Sequence, residues 1–295
     1  MSARKTKLYA ITGITGQVGG AVARTLLEGG YPVRAVMRNA GKSEQWAKLG
    51  CEIAVAEMTD GAALMEAFYD VDGAFILPPP EFDPQPGFPE ALAVIEAVKD
   101  ALHTARPRNV VCLSTIGAQA TQPNLLTQRM LMEEALRKLP VPVTFLRPAW
   151  FMENFAWDVA SARAKGVIAS FLQPLDKPVP MIATEDVGRL AAELLRENEK
   201  RSRVVELEAA RRYSPNDVAG TFAKILDHSV RAEAVPRETW ASLFASQGMK
   251  NPTPRIQMLD GFNEGWIEFE GAPETIVKGV TGLETVLKGL VEAAP

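Results

Sequence analysis

Cysteine and histidine are scarce in this chain of 295 residues, at two each. Cys51 and Cys112 lie in apolar, strand-like segments, as buried thiols of a reducing compartment do. His103 and His228 stand far apart, both near expected helix ends. No zinc-ligand spacing arises from these four, so no metal is expected. Positive charge is not in excess either. The 32 Lys and Arg against 36 Asp and Glu leave a net charge of −4, which offers no footprint for a nucleic acid. No apolar run approaches the roughly 20 residues of a membrane span. The basic start Met1–Lys7 is followed only by the short run Leu8–Ile11, too brief for a secretory leader. The expectation is a cytoplasmic protein with neither membrane nor nucleic-acid partner. A Gly-x-Ser-x-Gly elbow is also missing, and Ser114 has no evident histidine partner, which argues against a hydrolase.

What the first half does contain is alternation. Strands are expected at Lys7–Thr12, Pro32–Met37, Glu52–Glu57, Gly73–Leu77, Asn109–Leu113 and Val141–Leu146. Amphipathic helices fall between them at Gln17–Glu28, Gly41–Leu49, Gly61–Tyr69, Glu90–Leu102 and Leu126–Leu139. Strands apolar throughout and separated by helices imply a parallel sheet buried on both faces. With right-handed crossovers this is an α/β, Rossmann-type doubly wound fold. Pro78, Pro79 and Pro80, with Pro84, Pro86 and Pro89, form a loop after the fourth strand, at the sheet edge where ligands bind. Past Arg147-Pro148 the rhythm loosens. Ser214-Pro215-Asn216-Asp217 starts a helix that runs to about Asp227. Val204–Glu208 and Val230–Val235 suggest strands, and Glu274–Leu290 suggests a helix despite its glycines. The expected organisation is a Rossmann domain over residues 1–150 and a smaller α/β lobe over 151–295, with the chain re-entering the first around 180–210.

The glycine turn Gly13-Ile14-Thr15-Gly16-Gln17-Val18-Gly19 sits between the first strand and first helix. Gly13 permits the tight turn, Gly16 lets a pyrophosphate approach the backbone, and Gly19 permits close helix–strand packing. The helix N-terminus offers free amides and the positive end of its dipole. A dinucleotide site is therefore expected. At the end of the second strand, where an acid would bind the 2′-hydroxyl of NAD, stands Met37-Arg38-Asn39, with Lys42 beyond. Arg38 and Lys42 suit a 2′-phosphate, so the expected cofactor is NADP(H). Glu57 and Met58, Leu77 and Pro78, and Ser114 and Thr115 close the third, fourth and fifth strands. They are expected beside the adenine, the ribose–pyrophosphate path and the nicotinamide ribose.

These residues resemble the NmrA-like branch of the atypical short-chain dehydrogenases/reductases. The resemblance rests on Thr12–Gly19, Val33–Asn39, Leu113–Ala118 and, most specifically, Leu146-Arg147-Pro148-Ala149-Trp150-Phe151-Met152-Glu153-Asn154. Within the branch the chain is similar to the NADPH-dependent quinone oxidoreductase type, which implies NADP(H) binding and a small lobe framing a cleft. One departure stands out. The Tyr-x-x-x-Lys pair of typical short-chain dehydrogenases falls on Leu125 and Arg129, and no tyrosine occurs between Tyr69 and Tyr213. Arginine could still hold a ribose, but leucine cannot donate a proton. Hydride transfer to a quinone, or to a similar electron-poor small molecule, tolerates that loss, because the product takes its proton from water. Trp150, Phe151, Phe155 and Trp157 are expected to wall such an acceptor, with Asn154 donating to its carbonyl oxygen. Phe82 and Phe88, with Trp240 and Phe244, are candidates for the opposite wall. A second reading stays open: a non-catalytic NADP(H)-binding redox sensor or regulatory protein, whose partner would be another protein. An isoflavone-reductase-like or sugar-epimerase-like enzyme is a third and weaker alternative.

Overall fold

The computed structural model describes residues 7–294; the basic start up to Thr6 lies outside them. The first half alternates as β1 (Tyr9–Thr12), α1 (Gln17–Glu28), β2 (Val33–Met37), α2 (Glu44–Lys48), β3 (Glu52–Val55), α3 (Gly61–Phe68), β4 (Gly73–Ile76), α4 (Pro89–Ala105), β5 (Asn109–Leu113), α5 (Thr127–Leu136) and β6 (Val143–Pro148). Then come β7 (Trp150–Phe151), α6 (Val159–Lys165), β8 (Val167–Ser170), β9 (Met181–Ile182), α7 (Thr184–Arg196) and β10 (Arg203–Ala209). The remainder is α8 (Pro215–Leu226), β11 (Arg231–Ala234), α9 (Trp240–Ser246), α10 (Thr253–Glu264), β12 (Val277–Gly279) and α11 (Leu283–Ala293).

Eight strands form one parallel sheet in the order β12-β10-β6-β5-β4-β1-β2-β3. Strands β1, β4, β5 and β6 are buried along their whole length, which explains their mainly apolar sequences. One face of the sheet packs against α1 and α7, the other against α3, α4 and α5. Helix α7 lies so close to α1 that a side chain on Gly188 would collide with Ala21. Strand order reverses between β1 and β4, and this switch point opens a crevice at the carboxyl edge.

The sheet draws strands from both sides of residue 150: β10 pairs with β6, and β12 pairs with β10. The helix expected over Glu274–Leu290 is corrected by this pairing. Residues Pro273–Thr275 make a single 3-10 turn, Val277–Gly279 is the edge strand, and only Leu283–Ala293 is α-helical. Gly279 explains the break: a side chain there would collide with Asp186 and Ile182. The Asp186 carboxylate accepts from Thr281 N and Oγ1 at 2.8 and 2.9 Å, so it fixes the turn after β12.

Two small parallel pairs, β7–β9 and β8–β11, build the lobe with α6, α8, α9 and α10. Ser214 and Asp217 close a full capping box at α8, as the sequence indicates, and Val218 and Phe222 are buried beneath it. Cys51 and Cys112 are free and buried in separate clusters. Among the described residues no helix is long and apolar enough to cross a membrane.

Candidate functional site

The glycine turn opens on Gly13, whose φ of +63° suits glycine. Its carbonyl accepts from Gly16 N at 2.9 Å, which tightens the turn ahead of α1. Gly16 is the helix N-cap, without a side-chain capping bond, and the first turn carries no acid. The amides of that turn are therefore left to a ligand, and the dipole favours an anion. A Cβ on Gly19 would stand under 3.0 Å from the Gly13 carbonyl oxygen, a rigid backbone atom that cannot yield. Gly19→Ala is expected to weaken dinucleotide binding about tenfold or more, because the turn must open to admit the methyl. Titration of the purified variant with NADPH checks it; an unchanged affinity would mean that the turn does not bind the cofactor.

Neighbouring strand ends are locked to this turn. Thr12 Oγ1 donates to Phe75 O at 3.0 Å and accepts from Leu77 N at 2.8 Å, joining β1 to β4. The Leu77 side chain lies over Gly13. At the end of β2, Asn39 caps a 3-10 turn by accepting from Gly41 N at 2.8 Å. The capped turn carries Arg38 and Lys42, both exposed, and neither has a carboxylate partner among the described residues. After β3, Glu57 is exposed and Met58 partly buried. Next to them, Thr59, Pro78, Pro79, Arg129 and Met132 line a mainly apolar cavity of about 370 Å³ beneath the proline loop.

Arg129, which the sequence comparison sets at the usual lysine position, binds backbone carbonyls. Its guanidinium donates to Pro78 O at 3.1 Å and Pro79 O at 3.3 Å, so it braces the loop after β4. Burial draws its pKa down. Gln128 adds a bond to Glu81 O, and Asp83 accepts from Lys250 N and Asn251 N at 2.8 and 2.7 Å. The proline loop is thus fastened to α5 at one end and to the lobe at the other. Leu125 is buried, its amide donating to Pro254 O.

The ends of β5 and β6 carry a charged network that the sequence does not announce. Arg147 is buried and grips Glu133 with two bonds of 2.8 Å. Ser114 Oγ donates to the same carboxylate at 2.5 Å. Burial pushes the Glu133 carboxyl up, but the bonds from Arg147 and Ser114 outweigh it and hold the group below its ordinary range. The other side of Arg147 binds Gln119 at 3.1 Å and Glu270 at 2.7 Å. Segment 268–271 is fixed further by Glu206, which accepts from the amides of Glu270 and Gly271. Arg212 holds Glu268 through two bonds of 2.6 and 2.9 Å. The segment packs where Gly117 leaves room for Ile267. Thr115, just past Ser114, stays partly exposed at this edge.

Trp150, Phe151 and Phe155 are partly buried and packed on the core beside the lobe, and Asn154 is exposed. Trp157 does not join them: it is 91% exposed. Trp240 and Phe244, set as candidates for an opposite wall, are completely buried in the lobe's own core. Phe82 is 59% exposed on the proline loop, and Phe88 caps α4 in a left-handed conformation. Glu153 of the Met-Glu-Asn segment caps α7, accepting from Thr184 N and Oγ1 at 2.8 and 2.7 Å. Burial raises its pKa.

Residues 5–268 match the NmrA-like family. The chain belongs to that family. Among its relatives is an NAD(P)H azoreductase of Xenophilus azovorans, 25% identical over 284 residues, covering 95% of this chain and 92% of that one. Quinone oxidoreductase 2 of Escherichia coli is 24% identical and covers 82% of both. The crystal structure of an NADPH-dependent quinone oxidoreductase from Escherichia coli, complexed with NADPH, superposes with a TM-score of 0.79 at 22% identity, over 96% of this chain and 99% of that one. The last likeness establishes the shared NmrA-like fold, including the sheet and the lobe beside it.

Proposed function

We propose that the chain is an NADPH-dependent oxidoreductase that reduces a quinone or similar electron-poor small molecule by hydride transfer, without a Tyr-x-x-x-Lys pair. One observation carries it: two cations without a carboxylate partner among the described residues, Arg38 and Lys42, on a capped turn beside an uncapped glycine-turn helix. The donor set fits a dinucleotide bearing a 2′-phosphate. The amides of Thr15–Gly19 would hold the pyrophosphate, and Arg38 with Lys42 the 2′-phosphate. Glu57 and Met58 would flank the adenine, Leu77 and Pro78 the path to the ribose, and Ser114 and Thr115 the nicotinamide ribose. When bound, the reduced nicotinamide supplies the hydride.

The chain's own residues contribute position and dryness. Trp150, Phe151 and Phe155 would wall a flat acceptor and exclude water, and Asn154 would donate to its carbonyl oxygen. Leu125, at the tyrosine position, cannot give a proton, so the reduced acceptor takes its proton from water. Arg129 braces the proline loop and keeps the cleft's shape. The azoreductase and quinone oxidoreductase names among the relatives support electron-poor acceptors. Following NADPH absorbance with a panel of quinones and aldehydes tests the proposal. Turnover of quinones with little or none of aldehydes is expected. Tight NADP(H) binding with no turnover on any acceptor would instead favour the redox-sensor reading, to which the loss of the proton donor points.

A further inference from the structure

Arg129 holds two backbone carbonyls, whereas Arg34, Arg147, Arg203 and Arg212, all at least partly covered, each hold a carboxylate. Arg255, partly buried on the first turn of α10, holds none among the described residues. Its guanidinium lies over the Phe244 ring at 4.5 Å and reaches the Met249 sulfur at 3.8 Å. Those contacts are weak beside an ion pair, and neither cancels the charge. A desolvated cation without a counter-ion is costly to maintain, and such groups concentrate at sites that receive one.

The helix also says where the ligand would lie. Arg255, Met258 and Phe262 follow the spacing i, i+3, i+7 and so share one face of α10. At the far end of that face the Phe262 ring meets Trp150 edge-on, at 5.3 Å and 87°. The indole Nε1 of Trp150 is buried and has no hydrogen-bond partner. Seven residues of helix rise place Arg255 about 10 Å from Phe262. The face thus runs from Arg255, a cation without a counter-ion among the described residues, to Phe262, against which Trp150 packs with its indole Nε1 unpartnered, a length that suits a small aromatic acceptor with an acidic arm.

Building on the proposed reductase activity, we propose that Arg255 binds an oxyanion on the acceptor substrate, a carboxylate, sulfonate or phosphate, while the reducible ring lies against Trp150. The site therefore prefers acidic aromatic acceptors to neutral ones of the same ring system. Arg255→Met keeps the aliphatic stem over Phe244 and removes the charge.

The test compares binding of 1,4-naphthoquinone-2-sulfonate and of 1,4-naphthoquinone, by calorimetry, to the protein saturated with NADP+ and to the protein without it. In the native protein the sulfonate is expected to bind about tenfold or more tighter than the parent. Arg255→Met is expected to abolish that preference while leaving the parent quinone and NADPH affinities within about twofold, as removal of one charge-assisted contact requires. No preference in the native protein, or an equal preference in Arg255→Met, overturns the proposal. Should the variant fail to fold, the native comparison alone decides. Failure of NADPH to bind at all would count against the cofactor assignment and would leave the sulfonate comparison readable in the cofactor-free protein.

Discussion

Arg38→Asp is expected to weaken NADPH binding about 100-fold and to leave NADH binding within about twofold. Charge-assisted hydrogen bonds contribute about 1.5–3 kcal/mol each, and an introduced carboxylate adds repulsion with the 2′-phosphate. A loss near 3 kcal/mol corresponds to about two orders of magnitude in affinity. The asymmetry is the informative part, because only NADPH carries the 2′-phosphate. Lys42→Ala should produce a smaller loss of the same kind, since lysine acts as a point charge without the guanidinium fork. Parallel titrations with both cofactors check this. Equal loss of both would show that Arg38 supports the turn rather than reading the phosphate. The capped geometry around Asn39 does not depend on the arginine side chain, so the fold should survive the change.

Arg147→Met should have the largest effect on stability. It leaves the Glu133 carboxylate buried with only Ser114 and the partly exposed Arg137 as partners. Breaking a buried pair by removing one member costs about 3–5 kcal/mol, and a protein of this size then melts roughly 10 °C lower. The pH dependence follows from the sign of the Glu133 shift. In the folded native protein its pKa lies below the ordinary 4.5. The native contribution is therefore complete above that ordinary value and is lost as pH falls through the lower folded one. In the variant the buried carboxyl keeps only Ser114 and Arg137 and favours its neutral form more than in the native protein, so the stability deficit should be greatest near neutrality and shrink towards pH 4. Thermal melts of both proteins across that range measure it. A deficit independent of pH would mean that lost packing, not the ion pair, is responsible.

Legibility in the sequence followed the range of the interactions. Strands β1, β4, β5 and β6 stood out because burial on both faces demands mainly apolar residues, β2 and the edge strand β3 by their short β-branched runs, and the glycine turn because backbone geometry restricts residue choice locally. Strand β12 was hidden: the three residues Val277–Gly279 carry little pattern, and the amphipathic helix that follows extends its periodicity backwards. Trp240 and Phe244 resembled pocket walls, yet a small lobe needs its own core and uses its largest side chains for it. The Arg147–Glu133 pair joins a strand to a helix, and neither residue marks itself as buried without the fold. Which carbonyls Arg129 braces depends on the path of the proline loop, which no local pattern records. Membership in the NmrA-like family was visible in the Arg147–Asn154 segment. The structure assigns physical tasks to two of its residues: Arg147 grips Glu133, and Glu153 caps α7.

The most direct test is a single turnover. Protein loaded with one equivalent of NADPH is mixed, without oxygen, with excess 1,4-naphthoquinone, and the absorbance of the reduced nicotinamide is followed. The expected result is complete loss of that absorbance, faster than in free solution, with hydroquinone formed in equal amount. Absorbance that persists while NADPH remains bound would contradict hydride transfer and leave a protein that binds the cofactor without using it.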